Sequence, residues 1–215
     1  MNRRKPLLAA AASLVAIVIA AVGAALPARA ETLTLVVLGD SLVAGYQLAP
    51  SDAFPARLEA ALKARGHDVA VVNAGVSGDT ATAGLERLDW SVGPEADAVI
   101  VELGANDMLR GLDPAVPRAA LDKIMARLEE RGLPVLLAGM RAAPNLGPDY
   151  AQRFDAIYPD LAARYDALLY PFFLDGVATV SGLNLADGMH PNPDGVGVIV
   201  ERILPLVERL IERAR

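Results

Sequence analysis

From Leu33 onward, short apolar runs alternate with longer amphipathic segments, and few folds accommodate that alternation. The runs are Leu33–Leu38, Val69–Asn73, Ala98–Glu102, Val135–Ala138 and the weaker Leu168–Tyr170. The amphipathic segments are Phe54–Arg65, Ala81–Trp90, Pro117–Arg131, Pro148–Tyr165 and Pro193–Arg213. Within Pro117–Arg131, Leu121, Ile124, Met125 and Leu128 recur at helical spacing, and Gly132 and Pro134 end the pattern. Strands joined through helices pair in parallel. Strands that are apolar throughout are covered on both faces. The expected fold is α/β, three layers of helix, sheet and helix around a mostly parallel sheet of about five strands.

The first thirty residues follow another pattern. Asn2-Arg3-Arg4-Lys5 is basic, Leu7–Leu26 is apolar without a charge, and Pro27-Ala28-Arg29-Ala30 ends in a small-x-small site. That is the pattern of a signal peptide, although the apolar run also has the length of a membrane anchor, ~20 residues. The Ala-x-Ala site with Gly23 and Pro27 favours cleavage. Residues 31–215 are then one exported domain, periplasmic or secreted, with no stable membrane span after cleavage, as a monomer or weak oligomer. The first thirty residues hold four of the 20 basic residues and none of the 26 acidic ones, so residues 31–215 carry a net charge of −10. Such a domain is a poor partner for nucleic acid or anionic headgroups. The chain has no cysteine, which removes thiolate nucleophiles and most zinc sites. No metal or other cofactor is expected.

In a parallel sheet, ligands sit beyond the carboxyl ends of the strands. The segments that follow the first four runs are Gly39-Asp40-Ser41, Asn73-Ala74-Gly75-Val76-Ser77-Gly78-Asp79, Leu103-Gly104-Ala105-Asn106-Asp107 and Gly139-Met140-Arg141. Ser41 reads either as a nucleophile at the strand-to-helix junction or as a helix N-cap. A serine nucleophile needs a base, and the chain has two histidines. His67 precedes a strand and belongs at the opposite edge of the sheet. His190 lies in Asp187-Gly188-Met189-His190-Pro191, ahead of the last helix, with Asp187 three residues upstream. Asp187 reads as the partner of Nδ1–H or as an ordinary turn aspartate, and both readings stand on this segment alone. The N–H groups of Ser41 and Gly78 and the side-chain amide of Asn106 are donors suited to an oxyanion, although Gly78 and Asn106 also suit plain turns.

Taken together, Gly39-Asp40-Ser41-Leu42, Gly78, Gly104-x-Asn106-Asp107 and Asp187-x-x-His190 resemble the four blocks of the SGNH (GDSL) hydrolases, in the family's order. Val43-Ala44-Gly45-Tyr46, Ser77-Gly78-Asp79-Thr80, Leu109-Arg110-Gly111 and Ile157-Tyr158-Pro159 are similar to one branch, the bacterial periplasmic thioesterase I/arylesterase/lysophospholipase L1 enzymes. The resemblance implies a flavodoxin-like arrangement. It also implies a triad of Ser41, His190 and Asp187, an oxyanion hole of Ser41, Gly78 and Asn106, and a supporting role for Asp40. Ala105 stands where many relatives carry glycine. The surroundings of Ser41 are not Gly-x-Ser-x-Gly, so an α/β-hydrolase elbow does not apply.

Two segments offer apolar side chains for an acyl group: Met108, Leu109 and Leu112 after Asn106, and Pro144 and Leu146 in the next loop but one. The expected activity is hydrolysis of short to medium acyl esters, acyl thioesters or lysophospholipids through an acyl-enzyme. A carbohydrate O-acetyl esterase with the same triad is the alternative. A non-catalytic lipid- or sugar-binding relative would have no use for Ser41, Asp187 and His190. A phosphate-binding domain would need a basic residue in the glycine loops, and residues 39–41, 73–79 and 103–107 hold none.

Overall fold

The computed structural model describes residues 32–215, and the expected signal peptide of residues 1–30 lies outside them. The apolar runs form β1 (Leu33–Gly39), β2 (Val69–Gly75), β3 (Ala98–Glu102), β4 (Val135–Ala138) and β5 (Leu168–Tyr170). All neighbours pair in parallel, in the order β2-β1-β3-β4-β5. Every residue of β3 and β4 is buried, although successive side chains face opposite sides. Helices therefore cover both faces of the sheet, as the continuous apolar runs require.

β1 is where the chain reverses direction across the sheet, with β2 on one side and β3 on the other. Such a switch point opens a crevice at the carboxyl edge. Register sharpens this. Gly39 at the end of β1 pairs with Gly75 of β2 and Glu102 of β3. Three loops thus leave the sheet at one level. β2 runs two residues beyond the apolar run, because Ala74 and Gly75 continue its pairing with β1. As an edge strand it is blunted: the N–H groups of Val71 and Gly75 donate to Glu59 Oε2 (2.7 Å) and Asn73 Oδ1 (3.0 Å).

Among the described residues the helices are α1 (Ser41–Ala44), α2 (Phe54–Ala64), α3 (Ala81–Glu86), α4 (Leu88–Ser91), α5 (Ala105–Leu109), α6 (Ala115–Glu130), α7 (Pro148–Asp155), α8 (Ile157–Arg164) and α9 (Pro193–Arg213). α2 packs on α9 and β2, while α6 packs on α3 and α8. α9 buries Val196, Ile199, Val200, Ile203, Leu204, Val207, Leu210 and Ile211, a helical stripe that Pro205 leaves intact from the exposed side. No described helix is long and apolar enough to cross a membrane.

Two segments expected as single helices are broken. Pro148–Tyr165 divides at Ala156 because Pro159 would clash with the carbonyl four residues earlier in a continuous helix, and it falls instead in the first turn of α8. Ala81–Trp90 divides at Arg87, which leaves helical geometry (φ −103°, ψ 4°) and carries its side chain inward.

Candidate active site

β1 delivers the chain to Asp40, whose fully buried carboxylate accepts the Leu42 N–H through Oδ1 (3.0 Å) and so caps α1. Ser41 is the first residue of that turn, beyond the carboxyl end of the sheet. His190 comes from the loop before α9, where its carbonyl accepts the Leu185 N–H at 2.7 Å. In that loop Asp187 Oδ1 accepts the N–H groups of Met189 (2.9 Å) and His190 (3.0 Å), which aims Oδ2 at His190 Nδ1, 2.7 Å away. His190 Nε2 lies 2.9 Å from Ser41 Oγ.

The two backbone donors, with His190, hold the Asp187 carboxyl down at about 2. An ionised Asp187 only accepts, so Nδ1 carries the proton and Nε2 is left to accept from the Ser41 hydroxyl. The Tyr46 ring lies 4.5 Å from the His190 ring, tilted by 38°.

Ser41, Gly78 and Asn106 all line one cavity. Among the described residues the N–H groups of Ser41 and Gly78 have no acceptor within the protein. Gly78 sits at φ +88°, and a Cβ there would meet nothing within 4 Å, so the cavity is open over its peptide. Asn106 differs. Its Nδ2 donates to Asp40 Oδ2 (2.9 Å) and to the Asp79 carbonyl (3.0 Å), so both amide hydrogens are engaged. An oxyanion reaches this amide only by replacing one of those acceptors.

Beneath the nucleophile loop lie two buried carboxyls. Asp40 is pushed up to about 6, mainly by burial, against the pull of the Leu42 N–H and Glu102. Glu102, at the end of β3, is raised well above the usual range by burial and then by the Asp40 charge. Its Oε2 accepts a long bond from the Asp40 N–H (3.4 Å), and Oε1 is buried without a partner. Burial and the neighbouring charge thus make both carboxyls hold their protons more tightly than exposed ones do. Gly104, next along, is at φ +116°, and a Cβ there would stand 2.3 Å from the Tyr158 hydroxyl, which donates to the Leu103 carbonyl at 3.1 Å.

The cavity has a volume of about 380 Å3. Of the apolar residues expected along it, Met108 and Leu109 line it. Leu112, Pro144 and Leu146 do not. Leu112 instead offers its carbonyl to Tyr150, and Pro144 and Leu146 form a 3-10 turn in a loop tethered to Met108 by the Ala143 N–H at 3.1 Å from Sδ. Their places are taken by Met140, Leu174, Ala178 and Met189. Leu174 and Ala178 follow β5, so the rule of looking past each strand end, carried to this weak strand, finds them. His67 is remote from all of this: it precedes β2 and sits 3.2 Å from Glu208 of α9.

The GDSL-like lipase/acylhydrolase family model matches residues 37–198. An arylesterase of Vibrio mimicus is 42% identical over 168 residues, covering 78% of this chain and 84% of the relative. The thioesterase 1/protease 1/lysophospholipase L1 of Escherichia coli is 37% identical over 179 residues, covering 83% and 85%. A crystal structure of TesA superposes with a TM-score of 0.78 at 39% identity, covering 82% of this chain and 99% of that one. The chain belongs to the GDSL-like lipase/acylhydrolase family. It is a carboxylic ester hydrolase of the SGNH type.

Proposed function

We propose that this chain is an exported serine esterase and thioesterase that hydrolyses short to medium acyl esters, acyl thioesters or lysophospholipids through a Ser41-His190-Asp187 triad. The reading rests on the line from Ser41 Oγ to His190 Nε2 (2.9 Å) and from Nδ1 to Asp187 (2.7 Å). The hydroxyl proton passes to Nε2 as Oγ bonds to the acyl carbon. The carbonyl π pair moves onto oxygen, and the N–H groups of Ser41 and Gly78, with one Asn106 hydrogen exchanged from its present acceptor, hold that charge. The pair returns, the C–O or C–S bond breaks, and His190 hands its proton to the leaving oxygen or sulfur. Water then loses a proton to His190, bonds to the acyl carbon and displaces Oγ, which takes the proton back. Asp187 stays ionised and steadies the imidazolium in both halves.

The apolar cavity walls favour an acyl chain over a sugar, which sets this reading against an O-acetyl esterase for carbohydrates. Export is proposed from the basic, apolar and small-x-small order of residues 1–30. The test is a rate profile over p-nitrophenyl esters from acetyl to palmitoyl, with palmitoyl-CoA, lysophosphatidylcholine and acetylated xylan alongside. Rates should rise beyond acetyl, with xylan untouched. Ser41→Ala should lose several orders of magnitude in kcat with an unchanged melting temperature. Equal hydrolysis by Ser41→Ala, or xylan as the best substrate, overturns the reading.

A further inference from the structure

The donors proposed for the oxyanion sit on three separate loops, and one buried guanidinium closes a ring through all of them. Arg87, between α3 and α4, is 7% exposed. Its Nε donates to Asp79 Oδ2 (2.6 Å), Nη2 to the Gly39 carbonyl (2.8 Å), and Nη1 to the Ala74 carbonyl (2.8 Å) and Ser91 Oγ (2.9 Å). Gly39 immediately precedes Asp40-Ser41, and Asp79 immediately follows Gly78. The Asp79 carbonyl accepts from Asn106, and Asn106 donates on to Asp40. From Arg87 the path therefore runs through Asp79, Asn106 and Asp40 to Gly39, and back to Arg87. Ser41 and Gly78 hang from this ring by one peptide each, and Asn106 is a member of it.

We propose that Arg87 is a positioning residue of the oxyanion hole, setting the spacing of Ser41, Gly78 and Asn106 without touching substrate. This inference rests on the proposed acyl-transfer reading. A structural salt bridge needs one carboxylate. Arg87 instead spends two of its bonds on carbonyls at the ends of β1 and β2, which is where the nucleophile and Gly78 loops begin. Lysine is a single ammonium without the planar fork, so it cannot reach Asp79, Gly39 and Ala74 together. Donors displaced by a fraction of an ångström lose stabilisation in the transition state more than in the bound substrate.

The test compares wild type with Arg87→Lys, Asp79→Asn and Ser91→Ala on p-nitrophenyl butyrate, with inhibition by n-butylboronic acid, a tetrahedral anionic mimic, and by butyrate. Arg87→Lys should lower kcat by ~10- to 100-fold with KM within about threefold, a part of the ~10²–10³ that loss of a whole donor costs. Boronate should weaken by the same factor as kcat, and butyrate should be unaffected. Asp79→Asn, which keeps Arg87 and its carbonyl partners, should show a smaller loss with the same split. Ser91→Ala removes the one side-chain partner of Arg87 outside the ring and should match wild type. If Arg87→Lys does not fold, the Asp79→Asn split decides. Unchanged kcat in an active background, or equal loss of boronate and butyrate binding, overturns the inference alone. A wild type inactive on every ester overturns the acyl-transfer reading and the inference with it.

Discussion

Replacing Asp187 by asparagine changes almost nothing in shape and a great deal in hydrogen bonding. The amide oxygen still accepts from Met189 and His190 N–H, but the position of Oδ2, 2.7 Å from His190 Nδ1, now carries an NH2 group. A donor facing Nδ1 drives the ring proton to Nε2, where it points at Ser41 Oγ and cannot accept the hydroxyl proton. Restoring the working tautomer breaks one hydrogen bond, about 1 kcal/mol. The imidazolium formed during attack also loses its counter-charge. At about 4 Å between charge centres and a near-surface dielectric, that attraction is ~4 kcal/mol. The His190 and Asp187 side chains are 19% and 29% exposed, so solvent screens part of it and ~3 kcal/mol remains. Together these amount to about 4 kcal/mol in the barrier, or ~10³-fold in kcat. The assay is steady-state hydrolysis of p-nitrophenyl butyrate at pH 8 by wild type and Asp187→Asn, with thermal melts to verify folding. A folded variant that keeps more than a tenth of wild-type kcat refutes the assignment of Asp187 as the group that orients and neutralises His190.

His67→Ala should leave kcat within twofold in the same assay while costing about 1 kcal/mol in urea unfolding, because it removes only the 3.2 Å bond to Glu208 at the far edge of the sheet. Asp40, pushed up to about 6 in the fold against 3.8 in the open chain, keeps its proton in the folded state through a window where the unfolded state has lost it. The Asp40 contribution to folding stability therefore falls by about 3 kcal/mol as pH rises from ~4 to ~6, Glu102 adds a fall of the same sign, and Asp40→Asn should make the slope of stability against pH shallower in chemical denaturation curves. Gly104→Ala places a methyl against the Tyr158 hydroxyl at a positive φ, and should cost ~2–4 kcal/mol of stability by urea melting.

The sheet was legible because both of its faces are covered: a strand buried on two sides has to be apolar at every position, and such runs stand out. β3, β4 and β5 fall where those runs predict, and β2 exceeds its run only where Ala74 and Gly75 have no side-chain signal to give. The residues that meet at the carboxyl edge were legible for different reasons. Ser41 follows the first strand directly, but Asp187 and His190 lie far beyond β5, and they were legible through the Asp187-x-x-His190 spacing and the resemblance it completes. The cavity wall was read less well, since Leu112, Pro144 and Leu146 are loop hydrophobes whose direction depends on which loop packs on which.

Arg87 was illegible for a deeper reason. At helical spacing a lone arginine between Glu86 and Leu88 belongs to the solvated face, and in the sequence Asp79 and Ser91 read as ordinary exposed polar residues. Its two carbonyl partners come together only once β1 pairs with β2, because that pairing brings the ends of the two strands, with the carbonyls of Gly39 and Ala74, within reach of one guanidinium, and Asp79 lies in the loop that follows. The same pairing that creates the crevice also creates the buried acceptors that only a guanidinium satisfies in one piece. Breaking the helix at Arg87 forfeits local helical regularity, and four hydrogen bonds offset it. A charged side chain is carried inward here because the strand ends that need it are also the ones from which the nucleophile and Gly78 depart.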